Sequence, residues 1–269
     1  MSFSIVPGAV LTDVSDSPAN CGERVAQHRR MALPATGGVG HLPLPVVHQG
    51  KLPICTGVAA ANARMILHYQ ETGQVVPFSG LFIYKMNRLF DGLPREMKGS
   101  TLEASMQTLT HKGVCPERYY PSTGRNCSRE FPADGRALLE KAMPYRMAQY
   151  QRCTTLEEIL QALAEGHPVA FSMVISTDFY EARRGVVPIE RKGSRIGGHS
   201  MVAVNYDLER GLLQVLQSWG TAPGGPTDRG YMYIPFVWFD RMDELTEHSV
   251  LIEAFAFLEA SAPAALQQV

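Results

Sequence analysis

Apolar residues recur at helical spacing in the first half of this 269-residue chain and alternate in the second. That change of period restricts the chain to an α+β organisation, with helices and strands segregated along the sequence. Cys55 to Thr72 carries Val58, Ala59, Ala61, Met65, Ile66 and Tyr69 at helical spacing, with small residues crowded into its first half and Gly73 as a stop. This predicts a buried helix whose first residue is Cys55. Further helices are predicted near 79–91 and over 101–112, the latter with Leu102, Met106 and Leu109 on one face and Gly113 at its end. Over 155–165, Thr155 and Glu158 form a capping box, and Gly166 and Pro168 stop the helix before a strand from Val169 to Ile175.

From His199 the period becomes two. Ser200, Val202, Val204 and Tyr206 alternate with Met201, Ala203 and Asn205; Asp207 to Gly211 turn the chain, and Leu212 to Ser218 returns as the partner strand. Tyr231 to Phe239 reads as another strand. Between 113 and 136 the density of Pro, Gly, Arg and Ser predicts an irregular crossing between two lobes, and residues 1–42 read as an extended arm that Pro and Gly keep from forming a long helix.

Composition removes several function classes. The formal net charge of -1 shows no excess of either sign, so a nucleic-acid partner is not expected. No stretch approaches the roughly 20 apolar residues that span a bilayer, so no membrane partner is expected either. Met1 to Val14 lacks a secretory pattern, and the expectation is a cytoplasmic protein or one exported without a cleavable signal. The five cysteines are odd in number and lack paired short spacings, and the eight histidines show no metal-ligand spacing. The sequence therefore predicts no disulfide scaffold, no metal and no cofactor. Cys115, Cys127 and Cys153 read as structural, having no obvious base or helix start beside them.

Cys55 differs from them in its surroundings. A thiol at a helix N-terminus meets the positive end of the helix dipole and unsatisfied N–H groups, which stabilise its thiolate, and a neighbouring imidazolium adds to this. His199, in Gly197-Gly198-His199, supplies the imidazole. If the hairpin closes, Gln217 returns near the level of His199, where its amide oxygen would accept Nδ1–H and hold the ring in one orientation. Trp219 would cover that bond from water. Gln49, six residues before Cys55, would aim its amide at a developing oxyanion beside the Cys55 N–H.

These segments resemble the papain-like cysteine peptidases, in particular a bacterial branch. Gln49-Gly50 followed by Cys55-Thr56-Gly57-Val58-Ala59 is similar to the oxyanion glutamine and nucleophile motif; Gly197 to Val204 is similar to the base motif. Gln217-Ser218-Trp219-Gly220 resembles the segment with the orienting Asn, and Gly99-Ser100-Thr101-Leu102 resembles the backbone-binding glycine and its neighbours. The likeness covers roughly 43–240 with its motifs in order. The chain departs from the pattern at Gln217 for Asn, at Pro53-Ile54 for Gly-Ser, at Leu52 for a disulfide cysteine, and in its short arm.

The resemblance implies a two-lobed fold, with a helical N-terminal lobe around a central catalytic helix and a C-terminal antiparallel, β-barrel-like lobe. It implies an arm over 1–42, a peptidase domain over 43–250 that is mainly helical to 125 and mainly β from 126, and a C-terminal strand and tail over 251–269. It implies a peptide or protein substrate, with Cys55, His199, Gln217 and Gln49 in catalysis and Gly99, Ser100 and Trp219 along the substrate. Two alternatives share the same cleft: a peptide-binding module with little or no turnover, and an acyl transferase or transamidase using the same Cys–His pair.

Overall fold

The computed structural model describes residues 32–91, 98–131, 135–243 and 248–258, together with the backbone of Glu23–Arg24. Along the chain run β1 (Glu23–Arg24), β2 (Thr36–Gly38), α1 (Cys55–Thr72), α2 (Gly80–Asn87), α3 (Leu102–His111), α4 (Gly124–Ser128) and α5 (Gly135–Ala142). They are followed by β3 (Gln149–Cys153), α6 (Leu156–Ala164), β4 (Val169–Ser176), β5 (Arg195–Asp207), β6 (Leu212–Leu216), β7 (Tyr231–Pro235) and β8 (Leu251–Leu258). Short 3-10 turns lie at Met143–Tyr145, Thr177–Glu181 and Phe236–Trp238.

Every residue of α1 from Cys55 to Leu67 is buried, so this helix is enclosed on all sides. Small residues make that possible: a Cβ on Gly57 would lie 2.2 Å from the Gly80 carbonyl oxygen, so α1 and α2 touch backbone to backbone. Gly73 ends α1 at φ 71, its N–H donating to Tyr69 O. Ser79 caps α2 by accepting from Phe82 N at 3.0 Å, and Thr101 caps α3 by accepting from Ala104 N at 3.1 Å. At α6, Thr155 accepts from Glu158 N at 3.2 Å, while the Glu158 carboxylate reaches one residue further back, to Thr154 N at 2.6 Å.

The strands form one sheet in the order β1-β3-β8-β4-β5-β6-β7, with β2 paired to β5. All pairs are antiparallel except β1 with β3. Because side chains alternate across a strand, the sheet separates two cores. Ala170, Val202, Val204, Leu216, Phe255 and Phe257 join the helices α1, α2 and α3 in one. On the other face Phe171, Met173, Met201, Ala203 and Val215 pack with Ile159, Leu160 and Leu163 of α6.

Four of these elements differ from expectation. The crossing at 113–136 contains α4 and runs into α5, two helices that the Pro and Gly signals hid. The strand from Tyr231 stops at Pro235, which has no N–H to continue the ladder, and becomes a 3-10 turn. Strand β5 begins at Arg195, four residues before His199. The strand at the start of 251–269 is β8, held between β3 and β4. Of the arm over 1–42, residues 1–31 lie outside the described residues apart from the β1 backbone.

Candidate active site

Cys55 is the first residue of α1. Ile54 before it offers no capping side chain, and the first turn holds no acidic residue. The positive end of the helix and its unsatisfied N–H groups therefore meet the thiol without a competing carboxylate. None of the four described cysteines, Cys55, Cys115, Cys127 and Cys153, is in a disulfide. Burial pushes the Cys115 and Cys153 thiols up to about 12, which suits them to structural roles.

Gln49 is held over the same loop from two directions. Its N–H donates to Ser218 O at 2.9 Å, and an antiparallel bridge joins His48 to Trp219. Its side-chain oxygen accepts from Ser218 Oγ at 2.5 Å, and its Nε2 donates to Leu52 O at 2.9 Å. Those partners fix which end of the amide is nitrogen, and Nε2 keeps a second hydrogen. His48 itself supports the loop, since its Nδ1 accepts from Gly50 N at 2.9 Å, where Gly50 adopts φ 60.

His199 lies on β5 opposite Met173. Its Nε2 donates to Gln217 Oε1 at 2.9 Å, while Nδ1 is buried and has no hydrogen-bond partner among the described residues. The expected bond to Gln217 therefore forms on the other ring nitrogen. Register explains it: Val202 pairs with Leu216, so one further step sets Gln217 opposite Met201, two residues along from His199. From there the long Gln side chain meets the outer ring nitrogen and leaves Nδ1, nearer the backbone, for another partner. The Gln217 Nε2 donates to Met201 Sδ at 2.9 Å and Met232 Sδ at 3.3 Å, which turns its oxygen toward the imidazole.

Trp219 lies over the imidazole with ring centroids 5.0 Å apart, and Tyr180 lies 5.4 Å from Trp219. Burial drives the His199 imidazole down to about 4 against the opposing pull of Gln217. The covered site thus favours a neutral imidazole, in contrast to the imidazolium that the sequence suggested. Gly99 and Ser100 are also buried, with the Gly99 carbonyl accepting from Arg88 Nη1 at 3.0 Å. Trp219 is 2% exposed, so all three residues assigned to substrate contact are under cover in this structure.

Sequence reasoning missed a polar group beside the thiol. Cys55 Sγ donates to Ser200 Oγ at 3.9 Å, and Ser200 Oγ lies 2.8 Å from Ser172 Oγ. Ser172 Oγ donates to Glu253 Oε1 at 3.5 Å, and Glu253 caps α3 by accepting from Leu102 N at 2.5 Å and Glu103 N at 3.1 Å. The available signal was a serine, Ser200, heading the otherwise apolar stripe of Val202 and Val204.

No family model matches the sequence. An uncharacterised peptidase C1-like protein of Acanthamoeba polyphaga mimivirus is 27% identical over 205 residues, which is 72% of this chain; the match spans 65% of that relative's length. Xylellain, a cysteine protease from Xylella fastidiosa, superposes with a TM-score of 0.72 at 22% identity, over 85% of this chain and 87% of that one. Digestive procathepsin L 3 from the larval midgut of Tenebrio molitor gives 0.65 at 14%, over 89% and 75%. The architecture is therefore the α+β fold of the papain-like peptidases. In its motifs, its fold and its viral relative the chain is similar to the papain-like cysteine peptidases.

Proposed function

We propose that the chain is a cysteine peptidase that hydrolyses peptide bonds through a Cys55 thioester. The observation that carries this reading is the bond from His199 Nε2 to Gln217 Oε1 under Trp219, which leaves Nδ1 without a hydrogen-bond partner among the described residues. Cys55 opens α1, a helix packed against the same sheet, with no acid in its first turn. In the reaction His199 takes the thiol proton, and the sulfur attacks the peptide carbonyl. The Cys55 N–H and the remaining hydrogen of Gln49 Nε2 meet the developing oxyanion. His199 then protonates the leaving amine, and water releases the acyl group. Cys55 and His199 have no exposed surface, so a peptide reaches them only when neighbouring chain moves aside. Gly99 and Ser100 would take the substrate strand in that open form. The likeness to the Xylella protease supports placing the chain in the bacterial branch of the family.

A peptide-library digest comparing wild type with Cys55→Ala tests this. Wild type should cleave to free acids and amines, while Cys55→Ala should show no turnover and stay within about 1 kcal/mol of wild-type stability. Turnover in the variant, or products joined to an added amine in place of hydrolysed ones, would overturn the peptidase assignment.

A further inference from the structure

Ser200, Ser172 and Glu253 are 1%, 0% and 4% exposed, and nothing in the peptidase mechanism uses them. They are not scattered. Ser172 and Ser200 are directly paired across β4 and β5, and Ser172 pairs with Glu253 across β4 and β8, so three adjacent strands place one polar side chain each on the same line. That line starts at the Cys55 sulfur and ends on the N-terminus of α3, three residues after Gly99.

A buried chain of hydroxyls has two self-consistent directions. When Glu253 is ionised it can only accept. Ser172 then donates to it, Ser200 donates to Ser172, and the lone pairs of Ser200 face the sulfur and accept from the Cys55 thiol. When Glu253 is protonated its O–H donates to Ser172, both hydroxyls turn round, and Ser200 donates to the sulfur. The first direction favours the thiol and the second the thiolate. No covalent bond is exchanged along the chain; only the hydroxyls rotate, and one proton is taken up or released at Glu253.

We propose that Ser200, Ser172 and Glu253 are positioning residues for Cys55, and that the charge on Glu253 sets the direction of the two hydroxyls and through them the reactivity of the sulfur. This rests on the reading of Cys55 as the nucleophile. A cavity of about 240 Å³ is lined in part by Arg152, Cys153, Ile252 and Glu253. The charged groups around Glu253 are Glu103 on α3 and Arg152 on β3, and the Cys55 thiol on α1 is reached through the two hydroxyls. Burial pushes the carboxyl up, the Leu102 and Glu103 N–H groups hold it down, Glu103 raises it and Arg152 lowers it. The balance stands at about 7, so the reversal falls near neutrality.

Alkylation of the full chain by iodoacetamide between pH 4 and 9, read on the Cys55 peptide by mass spectrometry, tests the chain of contacts. In wild type the rate should climb in two steps, with the step near neutrality damping the gain in thiolate as Glu253 ionises. Ser200→Ala and Ser172→Ala, which leave the α3 cap in place, should each give a single step, and Ser200→Thr should restore two. Glu253→Gln should give one step and a rate at pH 8 about tenfold above wild type, the effect of removing one nearby like charge. If wild-type Cys55 reacts and all these variants share its profile, the positioning chain is refuted while the peptidase reading stands. If wild-type Cys55 reacts at no pH, the nucleophile assignment fails and takes this inference with it.

Discussion

A difference of one methylene between Gln and Asn decides how the imidazole is held. Gln217 reaches His199 diagonally from a position opposite Met201, closing the bond at 2.9 Å with its full length. An Asn would fall short by about one C–C bond, ~1.5 Å. Gln217→Asn should therefore lower kcat/KM about tenfold, the scale of one poorly made hydrogen bond. Gln217→Ala should lower it by ~10 to 10²-fold, because an orienting group contributes less than the base that it serves. Wild-type kinetics for Gln217→Ala at every pH would remove the orienting role. The pairing of His199 with Gln217 was legible because a hairpin turn of known length sets it. Which ring nitrogen bonds was not legible, since that depends on a register shift between Ala203 and Asn205. Ser200, Ser172 and Glu253 lay further out of reach. Their contacts span 145, 28 and 81 residues and exist only once three strands are in register.

The position of Cys55, the proposed nucleophile, depends on how closely α1 meets α2. A Cβ on Gly57 would stand 2.2 Å from the Gly80 carbonyl oxygen, and one on Gly80 would stand 2.7 Å from Val58 Cγ2. Backbone cannot yield as a flexible side chain can. Gly57→Ala, two residues from Cys55, should cost about 3 kcal/mol in urea unfolding, at the upper end for overpacking, despite the better helix propensity of Ala. A loss under about 1 kcal/mol would show that the helices separate easily. The stops of α1 and α3 and the cap of α6 were readable because Gly73, Gly113 and Thr155 act locally on their own helices. Helix α5 was not, because only Gly135 and Ala142 of its eight residues are buried and its apolar stripe is narrow.

Across the whole molecule, two buried groups near the cleft oppose one another in pH dependence. His199 is held down to about 4, below its ordinary 6.5. Between those values the unfolded chain binds more protons, so its contribution to stability is complete above 6.5 and is lost as pH falls toward 4. Glu253 is pushed up to about 7 from 4.5, so over that window the folded chain binds more protons, and stability is lost as pH rises through it. Each effect amounts to about 3 kcal/mol at 1.36 kcal/mol per unit, and over 4.5 to 6.5 they nearly cancel. Removing one should expose the other. In urea unfolding at pH 4.5, 5.5, 6.5 and 7.5, the Glu253→Gln chain should gain stability relative to wild type as pH rises, by about 3 kcal/mol across the range. The comparison is a difference of slopes, so the fixed cost of weakening the α3 cap drops out, as do titrating groups common to both chains. His199→Ala should tilt the opposite way, gaining relative to wild type as pH falls. Parallel profiles for wild type and Glu253→Gln would mean that Glu253 keeps its ordinary acidity when folded, with burial offset by the two N–H groups that it caps.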